Sequence, residues 1–145
     1  EGSGDMYYKG ALMLNTIRHI INDDAKWWKL LYNYSETYKK QIIDTKTVID
    51  YFNKESGLDL TSVFNQYLTT TKIPKLVLSK TGNKLSYEWQ NVNTDFKMPV
   101  DIVINEKTIR LHPTTSKQET KIDKKIKLEN IQVKTNQFFI KVEKK

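Results

Sequence analysis

The stretch Phe64-Asn65-Gln66-Tyr67-Leu68-Thr69-Thr70-Thr71-Lys72-Ile73-Pro74-Lys75-Leu76-Val77-Leu78 decides the fold. Before it, apolar residues recur every three or four positions, one face of a helix. After Ile73-Pro74 the period drops to two, with Leu76 and Leu78 on one side of a strand. Proline also disfavours a helical residue before it, so the helical pattern has to end by Ile73. The chain therefore reads as α+β in two lobes: a short helical bundle over residues 1–72 and an antiparallel β-sandwich over residues 73–145.

Downstream, Thr81-Gly82-Asn83 turns the chain and Leu85, Tyr87 and Trp89 alternate on the return strand. Val100, Ile102 and Ile104 form the next strand, Asn105-Glu106-Lys107 turns, and Ile109 and Leu111 come back. Ile126 with Leu128, Ile131 with Val133, and Phe138, Ile140 and Val142 give three further candidates. Residues 113–125 are polar and lysine-rich, a loop plus an edge strand. About seven short strands with turns every 8–12 residues suit a small sandwich.

Upstream, Tyr7, Ala11, Leu14, Ile17 and Ile21 share one helix face. Asn22-Asp23 interrupts, and Asp23 or Asp24 can cap a second helix carrying Trp27, Leu30, Leu31, Tyr34 and Tyr38. A third helix starts near Asp44, buries Val48, Ile49 and Phe52, and stops at Gly57, a suitable left-handed residue. Asp59 caps a fourth, with Leu60, Val63, Phe64 and Tyr67 inward. Short polar turns make the helices antiparallel neighbours.

Charge divides the same way. Residues 1–72 hold nine Lys/Arg and nine Asp/Glu, whereas residues 73–145 hold fifteen against eight and so carry the whole net +7. Those lysines are interleaved along strand-like segments, and Arg110 is the only arginine among them, so they read as a solvated face that keeps sheet edges apart. Nucleic acid is not the expected partner. With no Cys, thiol catalysis and Cys-based zinc sites are excluded. Five scattered Gly form no phosphate loop. No apolar run approaches the ~20 residues of a membrane span.

Two motifs point to chemistry. The first is Tyr7-Tyr8-Lys9-Gly10-Ala11, followed by an apolar run ending at Arg18. The second is Ser56-Gly57-Leu58-Asp59-Leu60, then Phe64-Asn65-Gln66-Tyr67-Leu68, then Pro74-Lys75-Leu76. In content, order and separation they resemble segments of the aminopeptidase N / leukotriene hydrolase family of zinc metallopeptidases (gluzincins), over about residues 5–104. Tyr67 stands where that family more usually has Trp. The resemblance implies a C-terminal piece of such an enzyme, with an immunoglobulin-like β domain after the catalytic one. It implies that Tyr7 is the catalytic residue whose phenol donates a hydrogen bond to the oxyanion formed on a peptide carbonyl. Lys9, within the motif, could salt-bridge a carboxylate near the zinc. Asn15 sits where relatives frequently have His and is assigned no role.

The zinc ligands themselves are missing from this stretch. It contains no His-Glu-x-x-His, and its histidines, His19 and His112, lie far apart without an acidic partner at helical spacing. A catalytic zinc needs three protein ligands and an open position. The expectation is therefore that zinc belongs to an upstream half of a longer parent, which also binds the peptide substrate, and that this stretch alone binds no cofactor or metal and is inactive. A start at Glu1 without an initiator Met fits a processed or partial chain. The alternative is a non-catalytic interaction scaffold, with the β-sandwich as a protein-binding module.

Overall fold

A computed structural model of the chain describes residues 5–145, with side chains from Tyr7 onward. Four helices come first: α1 (Asp5–Ile21), α2 (Asp24–Thr37), α3 (Thr45–Ser56) and α4 (Thr61–Thr69). Seven strands follow: β1 (Lys75–Thr81), β2 (Lys84–Gln90), β3 (Val100–Ile104), β4 (Lys107–Leu111), β5 (Gln118–Lys121), β6 (Gln132–Val133) and β7 (Lys141–Lys144), with a 3₁₀ turn at Leu128–Asn130. The strands form a four-stranded sheet in the order β5-β2-β1-β7 and a three-stranded sheet in the order β4-β3-β6. The architecture is a helical bundle followed by a β-sandwich, as the change of period requires.

The helix boundaries have local causes. The carboxylate of Asp23 accepts the amide of Lys26 at 2.9 Å, and that of Asp44 accepts the amide of Thr47 at 2.7 Å, so each cap satisfies an orphan N–H. This last bond, with the Thr47 hydroxyl, holds the Asp44 carboxyl below its ordinary range. Helix α3 ends on Gly57 with φ 72. Helix α4 departs from expectation: Asp59 accepts the amide of Thr61 at 3.2 Å, but Leu60 occupies the cap position. Asn53 does the rest, accepting the amide of Leu60 at 2.7 Å and donating to the Thr61 hydroxyl at 2.9 Å.

The buried face of α1 is also rotated from the expected one. Met13, Thr16, Ile17 and Ile20 face the core, while Tyr7, Ala11 and Leu14 are exposed and Ile21 is half-buried. Helix α1 is apolar on two faces, and only one is covered among the described residues. In the other helices Trp27, Leu30, Ile49, Phe52, Leu60, Val63, Phe64 and Tyr67 are buried as the spacing requires. Tyr51 joins them, donating its hydroxyl to the carbonyl of Leu30 at 2.9 Å.

Both hairpins turn through two residues. Gly82 has φ 59, and in the second turn Asn105 and Glu106 both have positive φ, at 49 and 64. Positive φ at both centres is the twist-matched hairpin geometry, which Glu adopts only with strain. The last third of the chain is less regular than its apolar residues suggest. Ile126 and Leu128 form no strand, β6 has two residues, and Phe138 is buried in the loop before β7. Strand β7 pairs with β1 in parallel, Lys75 opposite Lys141. The helices and both sheets share one hydrophobic cluster, from Met13 through Phe64, Leu78 and Trp89 to Phe138.

Candidate functional site

Tyr7 lies in the first turns of α1, and its side chain is 81% exposed. Neighbouring Tyr8 is 74% exposed. The outward stripe of Tyr7, Ala11 and Leu14 continues onto α2, where Trp28 and Tyr32 also face solvent. Arg18 closes the stripe, its guanidinium 5.3 Å from the centre of the Trp28 ring and paired with Asp24 at 2.8 Å. That pairing holds the Asp24 carboxyl below its ordinary range.

Helix α1 is held at several levels, which fixes the position from which Tyr7 projects. Near its start, Lys9 donates to the carbonyl of Thr70 at 2.6 Å, at the C-terminal end of α4. The positive group sits where the helix dipole favours it, so the motif lysine ties two helices together. Midway, Asn15 donates to the carbonyls of Asn136 and Gln137 at 3.3 and 3.4 Å, a contact reaching into the loop before β7. Thr16 accepts the amide of Phe139 at 3.0 Å and donates to the carbonyl of Leu12 at 2.9 Å. At the far end, Arg110 on β4 donates to the carbonyls of His19 and Ile20 at 2.6 and 3.0 Å, and holds Asp101 through two hydrogen bonds of 2.8 and 3.1 Å. Asp101 is 5% exposed. One guanidinium thus neutralises a buried carboxylate and caps the C-terminus of α1.

The second motif is structural in this fold. The Ser56 hydroxyl accepts the amide of Leu58, Gly57 makes the left-handed turn, and Leu60 is buried. Asp59, holding the Thr61 amide and then Lys97 at 3.2 Å, has its carboxyl drawn below the ordinary range. Phe64 packs edge-on against Phe52. Gln66 is fully buried, yet each end of its amide is bonded: it donates to the Thr70 hydroxyl and the Lys72 carbonyl at 3.0 Å and accepts the amide of Asn93 at 2.8 Å. Tyr67 donates to the carbonyl of Phe139 at 2.7 Å, and burial pushes its phenol upward. A ring with a polar O–H tip meets this demand.

The histidines do not converge on Tyr7. His19 has its Nδ1 2.8 Å from the carbonyl of Asn15, and His112 lies exposed at the rim of a groove of about 450 Å³. That groove is walled by Ile20, Leu60, Val63, Met98 and Pro99. It opens beside Ile20, and a rise of 1.5 Å per residue puts it about 20 Å along α1 from Tyr7. Among the described residues no group of three or more His, Cys, Asp or Glu could hold a metal ion. The described side chains do not supply a zinc ligand set.

No family model matches the chain, and no curated protein matches it in sequence. Among solved structures, aminopeptidase A of Legionella pneumophila, determined in complex with aspartic acid, shares the fold with a TM-score of 0.72. The match covers 94% of this chain and 17% of that one, at 11% identity. The chain therefore has the fold of a segment of that aminopeptidase, running across the helices and both sheets, and spans only 17% of its length.

Proposed function

We propose that this chain is part of a zinc-dependent aminopeptidase-like metallopeptidase and supplies its oxyanion-stabilising tyrosine, Tyr7. In this reading residues 1–72 are the end of the catalytic domain and residues 73–145 an immunoglobulin-like β domain. Zinc and its ligands belong to an upstream half of the protein, which also binds the peptide substrate. The contribution of the present residues is positional. Helix α1, held by Lys9, Asn15, Thr16 and Arg110, presents the Tyr7 phenol from a fixed start, so its O–H can meet negative charge developing on a carbonyl oxygen without reorganising.

The observation that carries this reading is the covered length of the fold likeness, taken with the motif at the start of α1. Gly10 supports it. A glycine inside a helix costs ~1 kcal/mol relative to alanine. Yet a Cβ built at Gly10 meets no atom within 4 Å, so nothing in the described residues requires its smallness. An upstream half packed closely against this turn would require it, and would also cover Tyr7, Leu14 and Trp28.

The test is Tyr7→Phe in the full-length protein. The change keeps the ring and removes one donor. We expect kcat to fall by roughly 10²-fold or more, with stability and metal content unchanged. Tyr8→Phe, at the variable motif position, should leave activity near wild type. If both variants keep full activity in an active enzyme, the catalytic role of Tyr7 is wrong. A parent that lacks upstream zinc ligands would turn the reading to the non-catalytic scaffold.

A further inference from the structure

The pairing register of the four-stranded sheet concentrates lysines that look dispersed in sequence. Strand β1 leaves the helices at Lys75 and runs outward to Thr81, so the β1–β2 turn is the end of this sheet farther from α4. Lys84 opens β2 there and lies directly opposite Lys121 at the end of β5. Like charges opposite one another across a ladder are unfavourable, so this register is held against a local cost. Lys80, near the end of β1, reaches over to the carbonyls of Gly82 and Lys124. The amide of Ile122 bonds the carbonyl of Asn83 at 2.8 Å, and the amide of Lys125 bonds the Asp123 carboxylate at 2.9 Å. Those bonds fix the loop carrying Lys124 and Lys125 beside the turn. Five lysines thus meet two carboxylates, Glu119 and Asp123, and Glu119 is already paired with Lys84 at 2.9 Å. Strand spacing of about 4.8 Å puts the whole cluster within ~15 Å.

We propose that this tip docks on the anionic surface of a phospholipid bilayer. The five positive groups are all lysines, point charges that suit diffuse attraction to many headgroups more than bidentate capture of one phosphate. No aromatic ring or arginine lies among residues 80–84 and 119–125 to stack on or read a base. The large exposed apolar side chains lie elsewhere, on the helices, in the helix-connecting loops at Ile42 and Leu58, and at Ile109, so contact is electrostatic and reversible, without insertion. The proposal does not depend on the peptidase reading.

The test is co-sedimentation of the chain with phosphatidylcholine vesicles, with and without phosphatidylglycerol, at low and high salt. Binding is expected only with phosphatidylglycerol and is lost as salt screens it. Lys121→Glu, Lys124→Glu and Lys125→Glu combined should reduce binding by tenfold or more, about the scale that three such charges allow. A charge-matched control, Lys39→Glu, Lys40→Glu and Lys54→Glu on the helical lobe, should bind like wild type once circular dichroism shows both variants folded. Three results would overturn the proposal: no binding of the wild-type chain to anionic vesicles, equal loss in both triple variants, or tighter binding of duplex DNA than of vesicles through the same lysines.

Discussion

The inner and outer sides of α1 are built on opposite principles. On the inner side, where the helices meet the sheets, buried polar groups are satisfied in pairs and triads: Gln66 with Thr70, Lys72 and Asn93, Tyr67 with Phe139, and Asp101 with Arg110. On the outer side, Tyr7, Leu14, Trp28 and Tyr32 offer apolar surface to solvent. A seam of bonded buried amides and charges needs nothing more to be complete. The exposed stripe on α1 and α2 adds little buried area to the described fold. Deleting a seam residue should therefore damage the chain by itself, and deleting a stripe residue should not.

The sharpest way to break this contrast is Arg110→Met. It keeps much of the stem packing and leaves the Asp101 carboxylate buried without its cation, together with two bare carbonyls at the end of α1. A loss of about 3 kcal/mol is expected in urea denaturation, the low end of what removing one partner of a buried pair costs. Gln66→Ala comes next. It strands the Asn93 amide and opens a small cavity, for about 2 kcal/mol.

Tyr67→Phe should cost about 1 kcal/mol by leaving the Phe139 carbonyl unpaired. It carries a pH signature as well. Burial raises the Tyr67 phenol from its ordinary 10.0, so the folded chain keeps a proton that the unfolded chain releases. The folded state then binds more protons above pH 10.0, and wild-type stability falls as pH rises beyond that point. The Phe variant should lose less stability between neutral and strongly alkaline pH. Some loss remains, because burial also raises Tyr34 and Tyr51. Smallest of all is Tyr32→Ser on the outer stripe, expected within ~0.5 kcal/mol of wild type in this chain. A larger destabilisation there would erase the distinction between seam and stripe.

Much of this architecture is legible in the sequence because its causes are local. Asp23, Asp44 and Gly57 mark helix ends through side-chain chemistry and backbone sterics, and Gly82 and Asn105 mark hairpins in the same way. What is not legible depends on distant partners. The spacing Tyr7–Ala11–Leu14 is as regular as Met13–Ile17–Ile20, and only the arrival of the sheets decides which face is buried. Lys9 looks like a candidate for chemistry and Asn15 like a position without a role, yet both have partners far along the chain, Thr70 and the 136–137 carbonyls. Gln66 and Arg110 matter most to the seam; Gln66 stands beside a second amide, Asn65, and only Arg110 has a cue of its own, as the lone arginine of a lysine-rich half. In the candidate site, Tyr7 is recognisable only by its motif, since an exposed tyrosine has no periodic signature.

The parallel pairing of β7 with β1 also sets an order of events. The first strand after Pro74 finds its neighbour in Lys141–Lys144, as the Lys75–Glu143 ion pair spanning 68 positions shows. A contact so distant in sequence closes late, because the loop entropy it consumes is returned only when most of the rest is in place. During synthesis, one edge of β1 therefore stays open until Lys141–Lys144 leave the ribosome. Truncation before Lys141 would leave that edge free for a stranger's strand, and the cost would be read as aggregation more than as lost folding energy.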